Sequence, residues 1–388
     1  MRICTLLFVV LSSIASAQGE PEMKSGDFKK IAKPTAAWID ARINNEASKV
    51  SEAIISLEEQ IEKINKKLKG RQVLSYVYDW EVALHQLRKY ATSGPSVKKG
   101  KVLEVDDPNA AYSVWLPSKY NPKKNNYQCI VLLGAQAADT IVELPSEVLD
   151  SSIVLAPDVS SMSADLVLTI EAAISVIVPI GKASQGYHLD RMRLFLVGTD
   201  ELGSQMALQW GAVMPHMFAG IATTVDVASK IAGAGNLELV ASDNFGSVAD
   251  AVTWCSSQPR THSYPLEYEF EIPFTQQSRV FWVHPIKFDS AENPFSDELA
   301  KIKVSVDRST NTITIDATAV DRVKLYLNDV IVDLDKPVNI IRNGVPYSYQ
   351  PARSVGTLLS VFASSFDGAA FPAVIREVDI PQPEEPTE

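Results

Sequence analysis

Three apolar runs constrain this chain more than any other feature: "CIVLLG" (129–134), "SIVLAP" (152–157) and "RLFLVG" (193–198). None of them alternates apolar with polar residues, so none reads as a strand with one wet face. Strands of this kind need cover on both sides, and a parallel sheet between two layers of helices supplies it. Helical stretches do lie between the runs, most clearly "ADLVLTIEAAISVIVPIG" and "ELGSQMALQWGAVM". Additional strands are expected at "YSVWLP" (112–117), "AGIATT" (219–224), "LELVAS" (237–242) and "LEYEFEI" (266–272). The fold class read from this is α/β, with a mainly parallel sheet carried by residues 101–289.

The flanks follow other patterns. Apolar residues recur at Ile43, Ala47, Val50, Ile54, Leu57, Ile61, Ile64 and Leu68, the alternating spacing of an a/d heptad seam. Gly70 follows as a helix stop, and "LSYVYDWEVALHQLRKYATSG" reads as a second helix. Two arrangements satisfy the seam: a helical hairpin within residues 18–100, or a coiled-coil association with a partner through Ile43–Leu68. In the hairpin, Ile54, Leu57, Ile61 and Ile64 should be buried near Tyr76, Val77 and Trp80. Residues 290–380 break into short alternating strands separated by turns, with one helix in "SVGTLLSVFASSF". That is the pattern of a small, antiparallel β-rich domain. The tail, residues 381–388, is rich in Pro and Glu and is expected to be disordered.

The first residues, "MRICTLLFVVLSSIASAQGE", carry Arg2, an apolar run from Ile3 to Leu11, and Ala15-Ser16-Ala17 before Gln18. This is the layout of a secretory signal peptide, residues 1–17, so the mature protein is expected to be secreted or periplasmic. No later run is long enough to span a bilayer. A net charge of −11 excludes a nucleic-acid partner, which would call for concentrated positive charge. Outside the leader only Cys129 and Cys255 remain, too few for a disulfide scaffold, and Cys129 reads as a buried thiol. His85, His188, His216, His262 and His284 are scattered without the spacing of a zinc site, so no metal or cofactor is expected.

Within the α/β region, "DRMRLFLVGTDELGSQMALQWGAVMPHMFAGI" reads as strand, sharp turn, helix and next strand. Together with "YSVWLPSKYNPKKNNYQCIVLLGA" it resembles the secreted α/β-hydrolases of the esterase, polyester-depolymerase and prolyl-peptidase-like kind, over about residues 110–285. The resemblance implies an α/β-hydrolase-like sheet with residues 193–198 central. It also implies a nucleophile elbow at the C-terminal edge of that sheet, the turn that presents the catalytic residue.

Transferred position by position, the family's machinery lands on altered residues. Counting from Gly198 places Asp200 where the nucleophile belongs; counting back from Pro215 places Glu201 there, with Gly203 as the second glycine. Ser204 falls inside the helix. The oxyanion hole after the first apolar strand maps onto Leu133-Gly134, and the backbone at Gly134 could still donate to a developing oxyanion. The acid of the triad maps onto Asp243, which would equally suit a cap for the helix beginning near Gly246. No histidine follows "LEYEFEI" directly; His262 and His284 both come after Asp243 in chain order but lack the family's neighbours.

An acid beneath an oxyanion hole repels the charge the hole exists to hold. The expected function is therefore an exported α/β-hydrolase-fold protein, catalytically degenerate, that binds a small molecule or a protein. The competing reading is an active secreted hydrolase of carboxylic esters or peptides. In it Asp200 would form an ester that a histidine-activated water cleaves, as in haloalkane dehalogenases and epoxide hydrolases. A third is a scaffold that oligomerises through the Ile43–Leu68 seam.

Overall fold

A computed structural model describes residues 23–68, 72–86, 98–108, 110–121, 126–258, 264–273, 279–288, 300–365 and 371–381. The leader expected at 1–17, residues 382–388 of the tail, and His262 lie outside the described residues. The first described helices are α1 (Ser25–Ile43), α2 (Ala47–Asn65) and α3 (Val77–Gln86). A Schellman turn joins the first two: Asn45 is left-handed at φ 57°, the Asn45 N–H donates to the Arg42 carbonyl, and the Glu46 N–H to the Ala41 carbonyl.

The helix lying along α2 is thus α1, which precedes it, rather than only the stretch after Gly70. A helix over residues 25–43 was not foreseen because Pro34 sits inside it, where proline removes a backbone donor and usually ends a helix. Leu57, Ile61 and Ile64 of the seam are buried, as are Val77 and Trp80, while Ile54 is half-buried.

The middle of the chain builds a seven-stranded sheet. Its elements are β1 (Val102–Val105), β2 (Tyr112–Trp115), β3 (Tyr127–Leu133), α4 (Ala137–Thr140), α5 (Ser146–Ser151), β4 (Ser152–Pro157) and α6 (Ile170–Gly186). They continue with β5 (Leu189–Gly198), α7 (Glu201–Val213), β6 (Gly220–Thr223), β7 (Ser242–Asn244) and α8 (Val248–Cys255). The strand order is β1-β2-β4-β3-β5-β6-β7. The five strands from β4 to β7 run parallel, with β1 and β2 antiparallel at one side. This is an α/β fold, and β5 lies inside it between β3 and β6.

Successive residues of β3 serve opposite layers, as the twofold period of a strand requires. Cys129, Val131 and Leu133 join the core under α6 and α7; Ile130 and Leu132 join the core under α5 and α8. Cys129 and Cys255 therefore sit on opposite faces of the sheet as free, fully buried thiols. Burial pushes the Cys129 thiol up to about 12 and raises Cys255 as well. Iodoacetamide at neutral pH should leave both unmodified in the folded protein and alkylate both in urea. Rapid native-state labelling of either, seen by mass spectrometry, would contradict this burial.

Two strands expected in the parallel sheet are placed differently. The first half of "LELVAS" ends a 3-10 helix (Ala234–Leu239), and the strand that follows is the short, exposed β7. "LEYEFEI" leaves the sheet: β8 (Glu267–Ile272) pairs antiparallel with β10 (Ala300–Asp307). Its side chains alternate, with Tyr268, Phe270 and Ile272 buried and Glu267 and Glu269 exposed, so it suits a sheet wet on one face. "RVFWV" becomes a tight turn at Phe281-Trp282 followed by β9 (Val283–Phe288).

The remaining elements are β11 (Thr312–Thr318), β12 (Val320–Leu327), β13 (Val338–Arg342), β14 (Val345–Tyr349), α9 (Val355–Ser365) and β15 (Val374–Asp379). They complete two further sheets, β14-β13-β11-β10-β8 and β15-β12-β9. Pairing is antiparallel throughout except between β11 and β13.

One apolar core joins these two sheets to α1, α2 and α3. Trp80 packs 5.8 Å from Phe371, and Tyr264 ties the two parts by donating to Glu81 and accepting from the Phe371 N–H. The helices from the start of the chain and the strands from its end thus make one body, with the α/β sheet between them in sequence.

Candidate functional site

In an open parallel sheet, ligands settle beyond the C-terminal ends of the strands, where neighbouring connections leave in opposite directions. Here that place lies outside β3 and β5: the chain leaves β3 toward β4 and leaves β5 toward β6, on opposite sides. The turn after β5 stands there, and three backbone fits hold it against β3. The Thr199 N–H donates to the Leu133 carbonyl at 2.8 Å, and its hydroxyl reaches the same oxygen at 3.1 Å. A Cβ on Gly203 would lie 1.8 Å from that carbonyl oxygen. Gly134, at φ 153°, leaves no room either, since its Cβ would meet Thr199 Oγ1 at 2.2 Å and Asp200 Oδ2 at 2.8 Å.

Asp200 is the centre of the turn, and both of its carboxylate oxygens are engaged. Oδ1 accepts from the Gly203 N–H at 2.7 Å, which makes Asp200 the N-cap of α7. Oδ2 accepts from the Ala135 N–H, also at 2.7 Å, across the gap to the end of β3. Ala135 is the residue after Gly134, so a donor that could serve an oxyanion is the one this carboxylate holds. The backbone at Asp200 is extended (φ −147°, ψ −173°), and no residue from 199 to 204 has positive φ. A nucleophile elbow depends on a strained turn to lift its residue clear of the backbone. This turn is relaxed and points its acid inward.

The other sequence candidates are dispersed. Glu201 is exposed and pairs with Lys230 at 2.6 Å; that hydrogen bond, with the attraction between the charges, holds its carboxyl below the usual range. Ser204 is wholly buried, and its hydroxyl accepts from the Val225 N–H at 3.3 Å. Asp243 is exposed on β7, where its Oδ1 accepts from the Asn244 N–H. It is not the cap of α8; Ser247 holds that position, accepting from the Asp250 N–H. His284 belongs to β9, in the three-stranded sheet, and stacks on Tyr326 with centroids 6.4 Å apart. The structure therefore brings Asp200 and Gly134 together, while Glu201 pairs with Lys230, Asp243 bonds within β7 and His284 belongs to another sheet.

Sequence reasoning missed Ala135, which acts through its backbone N–H, and Thr199, which bonds the Leu133 carbonyl through both N–H and hydroxyl. The signal for Asp200 as a cap was present: an Asp with a Glu directly after it, opening an apolar helix, is an N-terminal signature.

Beside this turn lies a cavity of about 420 Å³, lined by Gly134, Ala135, Ala138, Tyr112, Val159 and Asp158 among others. Glu104 and Asp106 add acid to its lining. Hydrogen bonds from the Ser160 hydroxyl, then from its N–H, hold the Asp158 carboxyl low. Among the described residues, no group of three or more His, Cys, Asp or Glu side chains is arranged to hold a metal ion. No described helix is long and apolar enough to cross a membrane.

No family model matches the chain, and no curated protein does. Among solved structures it is similar to a thermostable esterase at 17% identity and a TM-score of 0.30, over 41% of this chain and 63% of that one. A putative dipeptidyl aminopeptidase IV from Bacteroides ovatus shares 14% identity at a TM-score of 0.26, over 32% of this chain and 20% of that one. An esterase from the Planctomycetes species Thermogutta terrifontis shares 15% identity at a TM-score of 0.25, over 41% and 66%. The match thus spans less than two thirds of the length of each.

Proposed function

We propose that this chain is an exported α/β-hydrolase-type protein that does not hydrolyse esters or peptides and acts by binding. One observation carries the reading: the Asp200 carboxylate occupies the N–H groups of Gly203 and Ala135 at 2.7 Å each. Acyl transfer needs the Ala135 donor free for the oxyanion, with a nucleophile and a proton acceptor beside it. Here the Asp200 carboxylate already holds that donor. The loss of nucleophile or base alone costs several orders of magnitude, and the losses do not add, so little beyond binding would remain. Export is read from the leader at residues 1–17.

The test is a fluorophosphonate label and a p-nitrophenyl ester series on the mature protein, with Asp200→Ser alongside. Neither protein should label or turn over substrate. The competing reading has one observation in its favour, a carboxylate after an interior strand beside a cavity of about 420 Å³. On that reading, turnover would be present and would vanish in Asp200→Asn and in His262→Ala or His284→Ala.

A further inference from the structure

A second cavity, of about 320 Å³, opens at the seam between the α/β unit and the β-rich unit, near the opposite end of the parallel strands. Its walls are aromatic and apolar: Phe218 and Leu239 from one unit, Tyr268 and Phe281 from the other, with His216 beside Phe281. Glu238 and Glu267, both exposed and neither ion-paired among the described residues, also line it, one from each unit. Its volume is at the lower end of the range for small-molecule sites, and junctions between units are where such sites concentrate.

Two features hold this space open. The first is Phe281, a bulky residue at φ 49°. That conformation is strained for a bulky residue and persists only where the surroundings enforce it. Val280 and Val283 exchange backbone hydrogen bonds around the Phe281-Trp282 turn, and the Trp282 indole N–H donates to the Pro265 carbonyl at 2.7 Å. The second is Asn236, wholly buried between the units. Its amide donates to the Ala212 and Glu271 carbonyls, and its oxygen accepts from the Glu271 N–H. One side chain thus fixes the end of α7 to β8 and sets the spacing of the two units beside the cavity.

The chemistry of the lining selects the occupant. The Tyr268 hydroxyl is spent on the Val280 carbonyl at 3.0 Å, so that residue offers its ring; Phe218 and Phe281 offer nothing else. Aromatic faces attract cations, and two carboxylates strengthen the same preference. A neutral apolar molecule would gain nothing from Glu238 and Glu267, and an anion would be repelled by them. We propose that this cavity binds a small organic cation, a quaternary or protonated amine carried on an apolar or aromatic body. The site is distinct from the Asp200 turn and does not depend on whether that turn is catalytically silent.

The full mature chain, titrated with benzyltrimethylammonium chloride by calorimetry, should bind it saturably with a dissociation constant of about 1 mM or below. Glu238→Gln with Glu267→Gln, both surface changes that leave the core alone, should weaken binding about tenfold or more. The uncharged isostere neopentylbenzene should bind far more weakly, and Asp200→Ser should bind the cation as the parent does. No saturable binding, binding indifferent to both glutamates, or equal binding of the neutral isostere would each overturn the proposal.

Discussion

Alanine at position 203 is expected to cost about 4 kcal/mol or more, a large share of the stability of an ordinary domain. The added Cβ would lie 1.8 Å from the Leu133 carbonyl oxygen, 2.4 Å from its carbon and 2.9 Å from the Gly134 Cα. All three are backbone atoms at the end of β3, itself buried on both faces, so no side chain can swing aside. Ordinary overpacking costs about 1–3 kcal/mol because the neighbours give way. Here α7 would have to lift off the sheet, and the Asp200–Ala135 hydrogen bond would go with it. Urea unfolding followed by circular dichroism measures the loss. A Gly203→Ala protein within about 1 kcal/mol of the parent would mean that α7 does not pack on β3 as described.

Arg353→Ala should cost about 3–5 kcal/mol, the usual effect of removing one partner from a buried ion pair. The Arg353 side chain is 2% exposed. Its Nε and Nη2 donate as a fork to the two oxygens of Asp329, and its Nη1 to Asp335. Removing the guanidinium strands the Asp329 carboxylate at 15% exposure, whereas Asp335, at 55%, is solvated without it. Asp335→Asn should therefore cost less than about 1 kcal/mol. Lysine cannot reproduce the fork, so Arg353→Lys should stay close to the alanine variant. Thermal unfolding of the three proteins checks the order. Equal small losses in all three would show the network to be a surface one.

The parts of this fold that were legible in the sequence are those whose environment is extreme. β3, β4 and the second half of β5 announce themselves because the runs 129–133, 153–157 and 194–198 are apolar and buried throughout. The turn after β5 could be located for the same reason, although its role followed from a contact to Ala135 that no local pattern encodes. β8 was assigned to the wrong sheet even though its alternation of Tyr268, Phe270 and Ile272 with glutamates distinguishes it from the strands buried on both faces. Periodicity there stated how many faces are wet, and that should have separated the two sheets. α1 stayed hidden behind Pro34, and the heptad seam of α2 showed that a face needs cover without showing which element supplies it.

That cover comes in part from the far end of the chain, and this sets an order of events. The α/β sheet is complete in sequence by α8, so it can close as soon as that segment is available. Leu57 and Ile64 belong to a core whose other members, such as Leu325, Leu359 and Val378, are made last. The parts of α1 and α2 that they do not cover for each other must wait for the later strands. Contacts between such distant segments close slowly and leave the waiting surfaces open to aggregation. The first described helices are among the last elements to become secure, and a chain cut short before β10 would hold a finished sheet beside helices that lack most of their cover.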